Sequence, residues 1–430
     1  MSTSRGIAFW QHGVWQSADF SRLWGATVVS AFGSSITRLA VPLLAATTLH
    51  ATPAQMGLLV ASESVPILLL GLLAGTWLDR RTKRPVMIAT DLGRGVLLLA
   101  LPVAWALGVL RIELLIAVAF LVGCLSVFFD IASQSLLPMI LRDERLAEGN
   151  ARLFTGWSIA EIAGPGVAGW LVQAVTAPFA ILVDAVSYVV SSILLFGMHP
   201  REHETMEDAS TARPHFLREL LEGLQLVIRD PVLRATALAT GLWNLFDGAR
   251  WAVLILFLTR LLGLDASIIG VVFMASSVGY VIGSLLPQRV AQRIGLGNAI
   301  LLGIVLAVPS ELLTSLASGP PLQATAMAVA GFFLAGVVIP IYDINQFSVR
   351  QAVIPLPMQG RGNATMRTII RGAVPLGAVI GGLLGERIGL RGVMIFSALG
   401  GIAAFLAIWF SPVRAMRVLP TRAPVTVAGA

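Results

Sequence analysis

Acidic and basic side chains are scarce in the long apolar segments of this chain, so the few present are the first candidates for chemistry. Glu161 stands in Gly156-Trp-Ser-Ile-Ala-Glu-Ile-Ala-Gly-Pro-Gly-Val-Ala-Gly169. Asp130 and Asp343 each lie some eight residues before the polar end of an apolar segment. Arg38, Asp247 and Arg250 lie deeper, with Glu63, Asp184 and Glu311 nearer the opposite side. A charge deep in a bilayer costs at least ~2.5–3.5 kcal/mol unless it finds a partner or water. A carboxyl so placed can bind and release a proton, which is the chemistry of ion coupling. Glu161 is the first choice for that role, followed by Asp130, Asp343 and Asp247, although the depth of Asp130 and Asp343, nearer the cytoplasmic rim than the midplane, favours pairing with Arg80, Arg84 or Arg94 instead. The plainer reading pairs Glu161 with an arginine that glues helices. Asp247 and Arg250, three apart on one helix face, can likewise neutralise each other. Glu63 can meet Arg38. Asp184 and Glu311 read as structural.

Enzymatic chemistry has no visible seat. The five histidines fall in termini and loops, without metal-ligand spacing. No Gly-Lys-Ser or Gly-Lys-Thr loop is present to cradle a nucleotide phosphate. No cofactor or metal is expected, and energy must come from an ion gradient or from the substrate's own gradient. Cys124 is a lone cysteine in an apolar run, so no disulfide framework exists.

The elements that carry these residues are membrane helices. The 430 residues are 56% hydrophobic and 12% charged, about half the charge of an ordinary soluble domain. Each span needs roughly 20 apolar residues. Twelve are expected, near 20–48, 54–78, 86–109, 112–138, 146–175, 178–198, 232–260, 264–290, 296–317, 321–349, 361–386 and 390–411. The net charge of +7 belongs to the connections, not to a nucleic-acid surface, since no run of basic and aromatic residues suits base stacking. Basic connections alternate with poorly charged ones, which puts both termini and the long middle segment in the cytoplasm. No cleavable leader is expected in residues 1–19, which lack an apolar core with a small-residue cleavage site. The middle segment begins polar and turns amphipathic over Phe216, Leu217, Leu220, Leu221, Leu224, Val227 and Ile228, the pattern of an interfacial linker helix.

The second half is a weak copy of the first. Gly149-Asn-Ala recurs as Gly362-Asn-Ala, an offset of 213 that also carries Asp130 to Asp343, and Gly164 and Gly169 to Gly377 and Gly382. Parallel repeats of this size are a transporter signature. The expected organisation is a six-helix bundle over 1–198, a linker over 199–231, a second bundle over 232–413 and a tail over 414–430.

Two motifs then make a family resemblance specific. Gly75-Thr-Trp-Leu-Asp79-Arg80-Arg-Thr-Lys83-Arg84, with Asp91 and Arg94 following, resembles the loop motif between helices 2 and 3 of the major facilitator superfamily. Thr82 stands where that motif has its second glycine. Gly156, Gly164, Pro165 and Gly169 resemble the helix 5 antiporter motif, with Ala160 and Ala168 in place of usual glycines. Phe128 to Pro138 and Asn150-Ala-Arg-Leu resemble the branch holding macrolide-efflux-like and enterobactin-exporter-like proteins.

The resemblance implies an all-α polytopic fold of two pseudo-symmetric six-helix bundles, working as a monomer by alternating access. It implies export of a lipophilic small molecule, an antibiotic or secondary metabolite, in exchange for protons across the inner membrane. Export of a siderophore, movement of a lysolipid, or a non-transporting receptor on the same fold stay open. Gly75, Asp79, Arg80, Lys83, Arg84, Asp91 and Arg94 would form a cytoplasmic latch; as plain chemistry, the basic run also fixes orientation. Helices 1 and 7 would line the central cavity, exposing Arg38, Asp247 and Arg250. Phe32, Trp243, Phe246, Trp251, Phe273, Met274, Phe347 and Met366 are candidates for an apolar substrate pocket, although many such residues in any membrane protein face lipid or packing.

Overall fold

The computed structural model describes residues 13–79, 81–199 and 216–420, and in them all side chains but those of 72, 76, 79 and 216–220. The secondary structure there is helical throughout. Six long helices come first: α1 (Ala18–Thr47), α2 (Pro53–Asp79), α3 (Lys83–Ala106), α4 (Ile112–Ile140), α5 (Asp143–Val175) and α6 (Ala177–Phe196). Then follow α7 (Phe216–Arg229), α8 (Pro231–Leu256), α9 (Ala266–Gly283), the short α10 (Pro287–Ile294), α11 (Leu296–Ser315), α12 (Pro321–Val353) and α13 (Gln359–Trp409).

Ten helical segments among the described residues are long and apolar enough to cross a bilayer. One of them contains α13, which is two spans rather than one. Gly389 has φ 75° and ψ 166°, a conformation essentially reserved for glycine, and the helix breaks there. α5 has 33 residues but begins with charged turns (Asp143, Glu144, Arg145, Glu148, Arg152), which lower its hydropathy. With α5 and both arms of α13 the chain forms an all-α polytopic fold consistent with twelve spans. The span expected over 264–290 ends earlier, at Gly283. Pro287 cannot continue a helix but suits the first turn of a new one, and α10 starts there.

The described residues fall into two compact units, one within Met1–Ala212 plus Leu264–Met274, the other within Arg213–Gly263 plus Ala275–Ala430. In the first, α1 packs on α5 and α6, α3 on α4 and α6, and α2 on α4. Between helices in lipid the hydrophobic effect supplies little, so close approach through small residues does the work. A Cβ on Gly33 would lie 2.1 Å from Ser187 Oγ, and one on Gly164 2.4 Å from Ser35 Cβ. At one end Phe20, Leu23, Leu78, Met87, Leu136 and Leu195 form a buried cluster. There Arg84 donates to the carbonyls of Leu195 and Phe196, and Arg22 to that of Gly197. These oxygens lie at the C-terminal end of α6, and a cation suits that negative end.

In the second unit α13 packs along α8, and α11 packs against α12 and α13. The α8–α13 seam is set by Gly377 and Gly381. Their added Cβ atoms would meet Leu245 O at 1.8 Å and Ala249 O at 2.4 Å. α7 docks on the start of α13. Val227 is buried with Ala237 and Met366, and Arg361 Nη1 donates to Glu222 Oε2 at 2.5 Å. Leu221 and Ile228 remain exposed, because the apolar arc of α7 is wider than its contact with α13. Residues 200–215, Arg80 and the tail from 421 lie outside the described residues.

Candidate functional site

In the first unit the structure brings Arg38 of α1 to Glu161 of α5. Arg38 Nη1 donates to Glu161 Oε2 at 3.2 Å, and Nη2 donates to Oε1 and, at 3.1 Å, to Ser35 Oγ. Parallel guanidinium–carboxylate bonds of this kind are the strong form of the ion pair. The side chains are 53% and 28% exposed, so the pair is open to its surroundings rather than sealed. Its position follows from local sequence. Gly164 lets α1 approach α5 at Ser35, one helical turn before Arg38, and Pro165 interrupts the α5 ladder one turn after Glu161. Further along α5, a Cβ on Gly169 would lie 2.4 Å from Ala266 O, within the segment Leu264–Met274 of the same unit. Glu63 lies within electrostatic range of Arg38 but does not displace Glu161.

The neighbouring pair is of another kind. Asp91 and Arg94 of α3 are 0% and 4% exposed and bind each other. Ser191 Oγ donates to Asp91 Oδ2 at 2.6 Å, and Arg94 Nη1 donates to Ser126 Oγ at 3.3 Å. The guanidinium lies 4.3 Å from the ring centroids of both Phe129 and Tyr188. Asp130 is exposed and within electrostatic range of Arg94. Of the other latch candidates, Arg84 caps α6, Lys83 opens α3 and Gly75 has open space around it. The Asp79 side chain and Arg80 lie outside the described residues.

In the second unit Arg250 is the hub of a three-charge cluster. Its Nη2 donates to Asp247 Oδ1 at 2.5 Å, and its Nε is 3.9 Å from Glu311 Oε1 on α11. Trp251 Nε1 donates to Asp247 Oδ2 at 3.1 Å. Sequence reasoning read Glu311 as structural and apart from Arg250; the reach of the arginine side chain brings it into this cluster.

Beside it opens a cavity of about 450 Å³ between α8, α12 and α13. Its wall is formed by Thr240, Asn244, Asp343, Gln346, Phe347, Arg350, Asn363, Arg367, Ile370 and Arg371. Spacing explains the convergence. Thr240 and Asn244, Asp343 and Phe347, and Arg367 and Arg371 are each four apart, one turn on one helix face. Arg350 lies 4.6 Å over the Phe347 ring. Three polar atoms of the wall residues are buried without a hydrogen-bond partner: Gln346 Oε1, Arg350 Nε and Asn363 Oδ1. Of the expected pocket aromatics, Phe347 lines this cavity. Trp243 packs near Tyr342, and Phe246 packs edge-on against Phe396. Phe32, Phe273 and Met274 are half-buried, Trp251 is exposed and Met366 is buried under α7. Asp130 and Asp343 therefore occupy unlike surroundings.

The family model for the transmembrane secretion effectors matches residues 14–424. The chain belongs to that family. Among curated proteins it is 27% identical over 411 residues to the multidrug efflux pump Tap of Mycolicibacterium fortuitum, covering 89% of this chain and 94% of Tap. It is 25% identical over 380 residues to the uncharacterized major-facilitator-type transporter YfiS of Bacillus subtilis (strain 168), covering 86% of this chain and 87% of YfiS. Among solved structures, an inward-facing bacterial homologue of the iron transporter ferroportin superposes with TM-score 0.72 at 16% identity, over 91% of this chain and 98% of the other. At that identity the structural likeness speaks to fold alone. This secretion-effector chain thus has the major facilitator fold and is a multi-pass membrane transporter.

Sequence reasoning missed Gln346, Arg350, Asn363, Arg367 and Arg371 as cavity residues. The available signal was the four-residue spacing of Arg367 and Arg371, the only charges over 362–385, at a depth where orientation needs no charge.

Proposed function

We propose that this chain exports a lipophilic small molecule from the cytoplasm across the inner membrane in exchange for protons. The bundles over 1–198 and 232–413 would open in turn to the two sides, joined by 199–231, with both termini and the 414–430 tail cytoplasmic. The family match along nearly the whole chain, and the likeness to a multidrug efflux pump over 89% of this chain, support the transport direction and the breadth of substrate.

The Arg38–Glu161 pair carries the coupling reading. The carboxylate holds the guanidinium through two bonds while ionised. A proton on Glu161 removes that charge and frees Arg38 to turn elsewhere. The pair is exposed enough for a proton to reach it, and it sits one turn before Pro165, whose missing N–H leaves the helix a hydrogen bond short, so a change in pairing can be passed to the helix there. Proton binding from one side and release to the other would alternate with substrate. Asp247, paired with Arg250 and flanked by Glu311, is the counterpart in the second bundle.

The test is Glu161→Gln in proteoliposomes. Substrate exchange at equal concentrations should persist, because it requires opening to both sides but no net proton movement. Accumulation driven by a pH gradient should be lost. Gradient-driven accumulation at the wild-type rate in this variant would remove Glu161 from the mechanism.

A further inference from the structure

The cavity between α8, α12 and α13 has a charge that the export reading does not use. Its wall carries three arginines, Arg350, Arg367 and Arg371, against one carboxylate, Asp343. Orientation in the membrane does not require them all. Arg371 lies twelve residues into α13, about 18 Å along the axis at 1.5 Å per residue. Nor does the internal repeat. At the offset of 213, Arg350, Arg367 and Arg371 correspond to Leu137, Phe154 and Ser158, whereas Asn363 corresponds to Asn150. The first half carries no such trio at these positions.

We infer that this cavity receives the acidic group of an amphiphilic substrate, a carboxylate or phosphate, with the rest of the molecule against its apolar wall. The inference rests on the export reading and narrows its substrate class. Arginine is suited to this task, since its planar fork matches the oxygens of carboxylate and phosphate. Arg350 Nε is buried and lacks a hydrogen-bond partner, as does Gln346 Oε1. Buried polar groups are ordinarily satisfied, so both atoms can take a partner from a molecule in the cavity. Gln346 and Asn363 can turn their amide N–H groups to an anion or accept from a protonated acid. Phe347 and Ile370 supply apolar wall. A volume of about 450 Å³ lies within the range of small-molecule sites. Asp343 is the one opposing charge in the cavity wall. It therefore repels an anion, and the repulsion sets affinity low enough for release.

The experiment uses the full chain in nanodiscs of phosphatidylcholine. The probes are a dansyl-labelled undecanoate, its methyl ester and a quaternary ammonium analogue of equal length, each corrected for uptake by empty discs. The undecanoate should bind with its affinity cut at least about tenfold by Arg350→Gln or Arg367→Gln, the loss of one charge-assisted hydrogen bond. Asp343→Asn should tighten it. Opposite shifts from two cavity variants cannot both come from misfolding. Phosphatidylglycerol in the discs separates two sources of the same chemistry. Displacement of the probe identifies a lipid headgroup as occupant, and retention identifies a free acidic substrate. Equal binding of the ester, or undecanoate affinity unmoved by the arginine variants, or weakening by Asp343→Asn would overturn the inference. Flux of the ammonium probe down a pH gradient separates this from the export reading. Flux without undecanoate binding sinks the acidic-substrate class and leaves export standing; undecanoate binding without flux of any probe does the reverse.

Discussion

Asp91→Asn is the substitution that most sharply separates a buried ion pair from an open one. Asparagine keeps the shape and can still accept from Arg94 through its amide oxygen. Ser191 can rotate its hydroxyl from donor to acceptor. What is lost is charge, opposite a guanidinium only 4% exposed whose Nε already lacks a partner. Breaking a buried pair by removing one charge costs about 3–5 kcal/mol. Two rings at 4.3 Å and the nearby Asp130 continue to favour the cation, so the lower end, about 3 kcal/mol, is expected. The open pair behaves otherwise. Glu161→Gln leaves Arg38 half exposed, and such pairs contribute about 0–1 kcal/mol. Unfolding by increasing SDS fraction in mixed micelles, followed by tryptophan fluorescence, measures both. The double variant Asp91→Leu with Arg94→Met should recover most of the loss, since apolar replacement of a buried pair is often neutral. A loss below about 1 kcal/mol for Asp91→Asn, or a double variant as unstable as the single, would refute this account of the pair.

Three further substitutions test the packing. Gly377→Ala places a methyl 1.8 Å from Leu245 O, and opening that seam should cost about 1–3 kcal/mol, read as a lower folded fraction on size-exclusion chromatography. Gly389→Ala meets no neighbouring atom, so its cost of about 1–3 kcal/mol comes from backbone conformation alone and should show in SDS unfolding without a change in folded yield at rest. Glu222→Gln removes a pair whose side chains are 33% and 42% exposed; the SDS unfolding midpoint should move by less than the equivalent of about 1 kcal/mol.

Much of the architecture was legible because lipid imposes long apolar runs. The spans followed from hydropathy. The helix ends were legible where proline or glycine acts locally, and less so at Gly283, where nothing in the apolar run announces the stop before Pro287. The site was legible as a set of charges but not as a set of pairs. Asp247 with Arg250, three apart, could be read from spacing. Arg38 with Glu161 could not, because they are 123 residues apart and spacing alone equally allows α1 to turn Arg38 towards Glu63. Asp91 and Arg94 have pair spacing too, yet their motif drew attention to a latch, and only the burial by Phe129, Tyr188 and Ser191 reveals a sealed internal pair. The cavity arginines were overlooked because basic residues near a helix end satisfy the orientation rule by themselves. Which of them face one space depends on how three helices pack.

The central claim is proton-driven export, and uptake into proteoliposomes tests it most directly. Purified protein would be reconstituted with the interior acid relative to the bath, and labelled lipophilic probes of either charge supplied outside. The account predicts accumulation that requires the gradient and collapses on addition of a protonophore. Accumulation indifferent to the gradient, or none with any probe in protein shown to be folded, would contradict it.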